Sequence, residues 1–108
     1  MLFRSPAYVF YFMEALQDAG VRAGLGVEQA RTLALETFAG ATQLAVQSGE
    51  PPAELRERVT SKGGTTAAAV SSFDASRIKD EIVRGVLCAK ERAVEIGHEL
   101  GAHGSSSR

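Results

Sequence analysis

The chain has 108 residues, enough for one domain and one core at the usual size of roughly 100–150 residues per domain, so a two-domain enzyme is not expected within it. Twelve Lys+Arg against thirteen Asp+Glu leave a formal net charge of −1, without the basic footprint that nucleic acid or anionic lipid demands. The 44% hydrophobic and 23% charged fractions are those of a chain that folds.

A single cysteine, Cys88, makes neither an intrachain disulfide nor a cysteine-based zinc site. It lies beside an apolar stripe and reads as a small buried hydrophobe. No apolar run approaches the roughly 18 residues that span a bilayer, and the N-terminal stretch lacks the charge and cleavage pattern of a signal peptide. Together these features predict a cytoplasmic protein with no membrane or nucleic-acid partner.

Ser5-Pro6 has the chemistry of a helix start, a serine before a proline whose missing N–H costs nothing at the first helical position. Val9, Phe12, Met13, Leu16 and Gly20 then form a stripe that should be buried, and Gly24 supplies a left-handed stop. From about Val27 to Gln47 a second helix carries Ala30, Leu33, Ala34, Leu35, Phe38, Ala41, Leu44 and Ala45 over more than one face, which predicts wide burial between other helices.

Gly49-Glu50-Pro51-Pro52 breaks the chain. A short helix from about Pro52 to Val59 should turn Leu55 and Val59 inward. Thr60 to Thr66 forms a glycine loop opening onto a helix at Ala67, anchored by Phe73. Ile78, Ile82, Val86, Ala89, Ala93, Ile96 and Leu100 advance by 4, 4, 3, 4, 3 and 4, so the last helix is expected over Ser76 to Leu100, stopping at Gly101. Strand-like alternation is absent, and the fold class is all-α with about five helices.

His-Glu-x-x-His, Cys-x-x-Cys and Gly-x-Gly-x-x-Gly are all missing. His98 suits the C-terminal end of the last helix, and His103 sits in the tail. The segment Ser61-Lys62-Gly63-Gly64-Thr65-Thr66 is where chemistry concentrates: adjacent glycines let the backbone approach a ligand, and the helix start adds free amides with partial positive charge. Lys62 precedes the glycines, so this is not a Walker loop. On residue types alone the segment reads first as a threonine-capped helix after a flexible turn, with the anion site second.

Taken in order, the segments resemble the C-terminal helical domain of pyrroline-5-carboxylate reductase. The resemblance rests on Pro6-Ala7-Tyr8-Val9-Phe10 with Glu14-Ala15-Leu16 and Ala19, on Ala23-Gly24-Leu25, on Ser48-Gly49-Glu50 with Pro52, and above all on Val59 to Thr66 with Ala69. It covers nearly all of Ser5 to Gly101. It implies an interlocked helical homodimer or higher oligomer, and a pocket for pyrroline-5-carboxylate or proline.

The resemblance further implies that Ser61, Gly63, Gly64 and Thr65 hold the substrate carboxylate, while Thr66 hydrogen-bonds the ring nitrogen. NADPH or NADH would be the hydride source, bound by a domain other than this one. That family places a nucleotide-binding domain of roughly 150 residues ahead of the helices, whereas Met1 to Ser5 alone precede Pro6 here. Phe3 and Ser5 also stand where the family's junction has glycines, and Lys62 where many members carry proline.

The expected organisation is therefore a residual junction over 1–5, the helical dimerisation and substrate-site domain over 6–101, and a flexible tail over 102–108. The chain on its own should be inactive as a reductase. The competing reading is a non-catalytic helical oligomerisation or interaction module.

Overall fold

The computed structural model describes residues 5–102. Five helices follow one another in chain order: α1 (Pro6–Arg22), α2 (Val27–Ser48), α3 (Pro52–Arg58), α4 (Thr65–Ala75) and α5 (Ile78–Ala102). No strand occurs among the described residues, as the all-α expectation requires. Residues 1–4 of the expected junction and 103–108 of the expected tail, His103 included, lie outside the described residues.

The chain divides into two compact units, one over Pro6–Ser61 and the other holding Lys62 onward. In the first unit α1 and α2 form a helical hairpin. Its turn is set by backbone chemistry: the Leu25 amide donates to the Gly20 carbonyl at 3.0 Å and the Gly24 amide to the Val21 carbonyl at 3.0 Å. This paired pattern closes a helix through a residue at positive φ, and Gly24 takes it at φ 112°.

Beyond the turn, Gly26 precedes α2, and its amide donates to Gln29 Oε1 at 3.2 Å. The hairpin closes on small residues. A methyl group at Gly20 would meet Ala30 Cβ at 3.0 Å, so glycine is needed there for close approach, and Ala30 and Ala34 are buried at the contact.

The end of α2 follows the same logic. Gly49 sits at φ 70° and its amide donates to the Ala45 carbonyl at 3.1 Å. Pro51 then caps α3 in extended conformation and Pro52 occupies its first position.

In the second unit α4 and α5 meet at Arg77, a non-glycine residue at φ 56°. Ser76 belongs to the end of α4, its amide donating to the Ser72 carbonyl at 3.1 Å, and Arg77 accepts the first bond of α5 from the Glu81 amide at 3.1 Å. The last helix therefore begins two residues later than expected. It also continues through Gly101, where one glycine costs only about 1 kcal/mol and need not end a helix. On its solvated side, Glu81 hydrogen-bonds Arg84 and raises the guanidinium pKa above its ordinary value.

Burial is the main departure from the sequence-based expectation. Among the described hydrophobic residues only Ala30, Ala34 and Leu55 are buried, and Val9, Phe12, Leu33, Leu35 and Leu44, all expected inside, are exposed. Val59 is 61% and Phe73 54% exposed, because Val59 ends α3 instead of continuing its inner face and α4 has no buried residue. Cys88 is exposed as well. The periodicity placed these side chains on helix faces correctly, but one copy of the chain does not cover those faces.

Candidate functional site

The candidate loop starts from the end of α3. Val59 caps that helix through its amide to the Leu55 carbonyl at 3.2 Å, and the Thr60 hydroxyl donates to the Arg56 carbonyl at 2.5 Å. Ser61 follows, exposed, as the last residue of the first unit. Lys62, also exposed, opens the second.

Gly63 has φ 77°, the left-handed region that a side chain adopts only at a cost. Gly64 then returns to extended backbone, φ −88° and ψ −176°, and is the residue that caps α4. Thr65 and Thr66 occupy the first two helical positions.

Threonine capping is thereby overturned. Glycine caps the helix, no side chain hydrogen-bonds its start, and both threonines lie one step too far along for the capping role. The first bond of α4 runs from the Ala68 amide to the Gly64 carbonyl at 3.1 Å. The amides of Thr65, Thr66 and Ala67 consequently have no acceptor among the described residues. The Ala67 amide was not singled out from the sequence, although the rule that a helix leaves its first amides unpaired points to it.

These donors define what the loop can do. Neighbouring amides at a helix start carry partial positive charge and favour an anion with several oxygens, such as a carboxylate. The glycines keep side chains away from the approach, and Lys62 adds a cation beside it. Gly63, Gly64, Thr65 and Thr66 are thus brought together at one helix start, with Ser61 two residues before Gly63.

Elsewhere, no group of three or more His, Cys, Asp or Glu among the described residues could hold a metal ion, and none of the described helices is long and apolar enough to cross a membrane. His98 is exposed on α5.

Residues 4–96 match the pattern of pyrroline-5-carboxylate reductase dimerisation. The chain belongs to this family. Against pyrroline-5-carboxylate reductase of Pseudomonas aeruginosa it is 45% identical over 96 residues, covering 89% of this chain and 35% of that protein. Pyrroline-5-carboxylate reductase 2 of Bacillus subtilis is 41% identical over 95 residues, 88% of this chain and 34% of that protein.

Among solved structures, Plasmodium falciparum pyrroline carboxylate reductase with NADP bound superposes with a TM-score of 0.82 at 35% identity, over 85% of this chain and 37% of that one. The Coxiella burnetii pyrroline-5-carboxylate reductase gives 0.79 at 36% identity, over 84% and 34%. The chain spans about a third of the length of the relatives it matches. As a member of the pyrroline-5-carboxylate reductase dimerisation family it carries a helical element whose family role is association.

Proposed function

We propose that the chain is the dimerising and substrate-holding part of a pyrroline-5-carboxylate reductase, the enzyme that reduces 1-pyrroline-5-carboxylate to L-proline in proline biosynthesis. The observation that carries the assignment is the start of α4, where the amides of Thr65, Thr66 and Ala67 are left for a ligand in the segment on which the family resemblance chiefly rests. In this reading Ser61, Gly63, Gly64 and Thr65 receive the substrate carboxylate through amides and hydroxyls. Thr66, the next residue of the helix, hydrogen-bonds the ring nitrogen and orients the imine. Its hydroxyl is too weak an acid to protonate the nitrogen unaided, so its role is alignment and relay.

The nicotinamide cofactor supplies the hydride. The described residues contain neither a strand nor a Gly-x-Gly-x-x-Gly turn opening a helix to fit it, and in this reading a domain other than this one binds it. The working enzyme in this reading is a cytoplasmic homodimer or higher oligomer.

Titration of the 108-residue chain with proline, followed by amide NMR, tests the assignment. Millimolar binding is expected, on the order of 4 kcal/mol, with shifts at Ser61, Gly63, Gly64 and Thr65. No shifts at tens of millimolar proline in a folded oligomer would leave only the non-catalytic oligomerisation module. In an enzyme carrying a nucleotide domain, Thr66→Val should lower kcat more than it raises KM. The 108-residue chain alone should not turn over the imine with NADH or NADPH.

A further inference from the structure

Lys62 belongs to the same compact unit as α4. It stands shortly before Thr65, so the two Cα atoms are at most about 11 Å apart whatever path the loop takes. Its side chain is exposed and makes no ion pair or hydrogen bond among the described residues, whereas Arg22, Arg31, Arg77, Arg84 and Arg92 are each held by a carboxylate. The surrounding sequence leaves its charge uncancelled. Although 23% of the chain is charged, Lys62 is the one charged residue between Arg58 and Asp74. Asp74 lies near the far end of α4, about 13 Å along the helix from Thr65.

The unpaired amides of Thr65, Thr66 and Ala67 recognise a carboxylate group locally, whatever else the ligand carries. Lys62 acts over a longer range and responds to the charge of the whole ligand. That difference separates the two sides of the proposed reaction. The unprotonated cyclic imine carries a carboxylate and no cation, so it is a net anion. Reduction adds a hydride to its carbon and a proton to its nitrogen, and the amine takes up a second proton at neutral pH, which leaves a zwitterion without net charge. Lys62 attracts the anion, but with the zwitterion its attraction for the carboxylate and its repulsion of the ammonium nearly cancel.

We propose that Lys62 is a specificity-determining residue of the loop, selecting ring carboxylates of net negative charge over zwitterionic ones and so favouring the imine over its reduced product. The inference rests on the substrate-holding reading above. At about 6–10 Å in water, a unit charge changes the binding of a unit anion about two- to three-fold, and high salt screens the effect away.

Amide NMR titrations of the unsubstituted chain, Lys62→Gln and Lys62→Arg at neutral pH, read at Gly63, Gly64 and Thr65, test the proposal. The probes are proline, a zwitterion, and cyclopentanecarboxylate, which has the five-membered ring and the carboxylate but no nitrogen. At about 10 mM salt, Lys62→Gln should bind cyclopentanecarboxylate about two- to three-fold more weakly than the unsubstituted chain, with its proline affinity unchanged. At about 1 M salt the difference should vanish. Lys62→Arg, which keeps the charge, should match the unsubstituted chain in both conditions. Equal weakening of both probes in Lys62→Gln, or no change with either, would overturn the charge selection while the substrate-holding reading stood. Absence of binding of both probes to the unsubstituted chain would overturn the two together, and it is observed separately from any variant.

Discussion

Gly63 and Gly64 adjoin in sequence and serve different ends. Gly63 is required by its backbone, at φ 77°, so Gly63→Ala should cost about 1–2 kcal/mol of stability. Gly64 lies in extended conformation, open to any residue, and its lack of a side chain leaves the first amides of α4 without a side-chain acceptor. An aspartate there could cap the helix and complement its dipole, so Gly64→Asp should raise stability by about 0.5–1 kcal/mol. The same carboxylate would occupy the amides of Thr66 and Ala67, and proline binding should disappear. Urea unfolding at one fixed protein concentration, with an NMR titration of each variant, measures both effects. A Gly64→Asp chain that gained stability and still bound proline would detach the uncapped amides from ligand binding.

At the scale of elements, the sequence was legible at most boundaries that a proline or glycine sets through local backbone chemistry, Gly101 being the exception. Pro6, Gly24, Gly49 and Pro52 each mark a start or stop that the structure contains, because capping and positive φ are decided within a few residues. The glycine loop before α4 was legible for the same reason, although α4 begins at Thr65, two residues before the Ala67 expected. Its capping residue was not, since glycine and threonine both suit a helix start and their order along the turn decides which one caps.

Arg77 was illegible, because nothing in an arginine signals a left-handed backbone. It pairs with Asp80 through Nη2 at 2.9 Å and Nε at 3.1 Å, an exposed contact worth about 0–1 kcal/mol. Arg77→Gly loses that pair and relieves the backbone, whereas Arg77→Ala loses the pair and keeps the strain. The glycine variant should therefore be the more stable of the two by about 1 kcal/mol. At Lys90, exposed inside α5, the same two substitutions should rank in the opposite order by about 1 kcal/mol. Paired unfolding curves of the four variants check this, and alanine ranking above glycine at both positions would remove the strain at Arg77.

At the scale of the whole molecule, the exposed apolar faces decide what the folded state must be. Phe10, Tyr11, Phe12, Leu33, Leu35, Leu44, Ile82, Leu87 and Ile96 are 37–72% exposed on long helices, and completing the burial of each such side chain gains about 1–2 kcal/mol. A family defined by dimerisation supplies the natural cover, a second copy of the same chain. Folding and association should then be one event, so that stability depends on protein concentration. For a dimer, each tenfold rise in concentration adds about 1.4 kcal/mol, equivalent to roughly 3–6 °C in Tm for a folded unit of this combined size.

Ile96 lies on the same α5 stripe as Ile82 and is 42% exposed. A charge there has little to disturb within one copy but would be desolvated in an interface. Ile96→Glu should therefore give a monomer by light scattering, a lower Tm, and loss of the concentration dependence. An unsubstituted chain that scatters as a monomer at high micromolar concentration, with a Tm that does not move on tenfold dilution, would mean that these faces are stable in water without a partner, and the dimerising role would have to be given up.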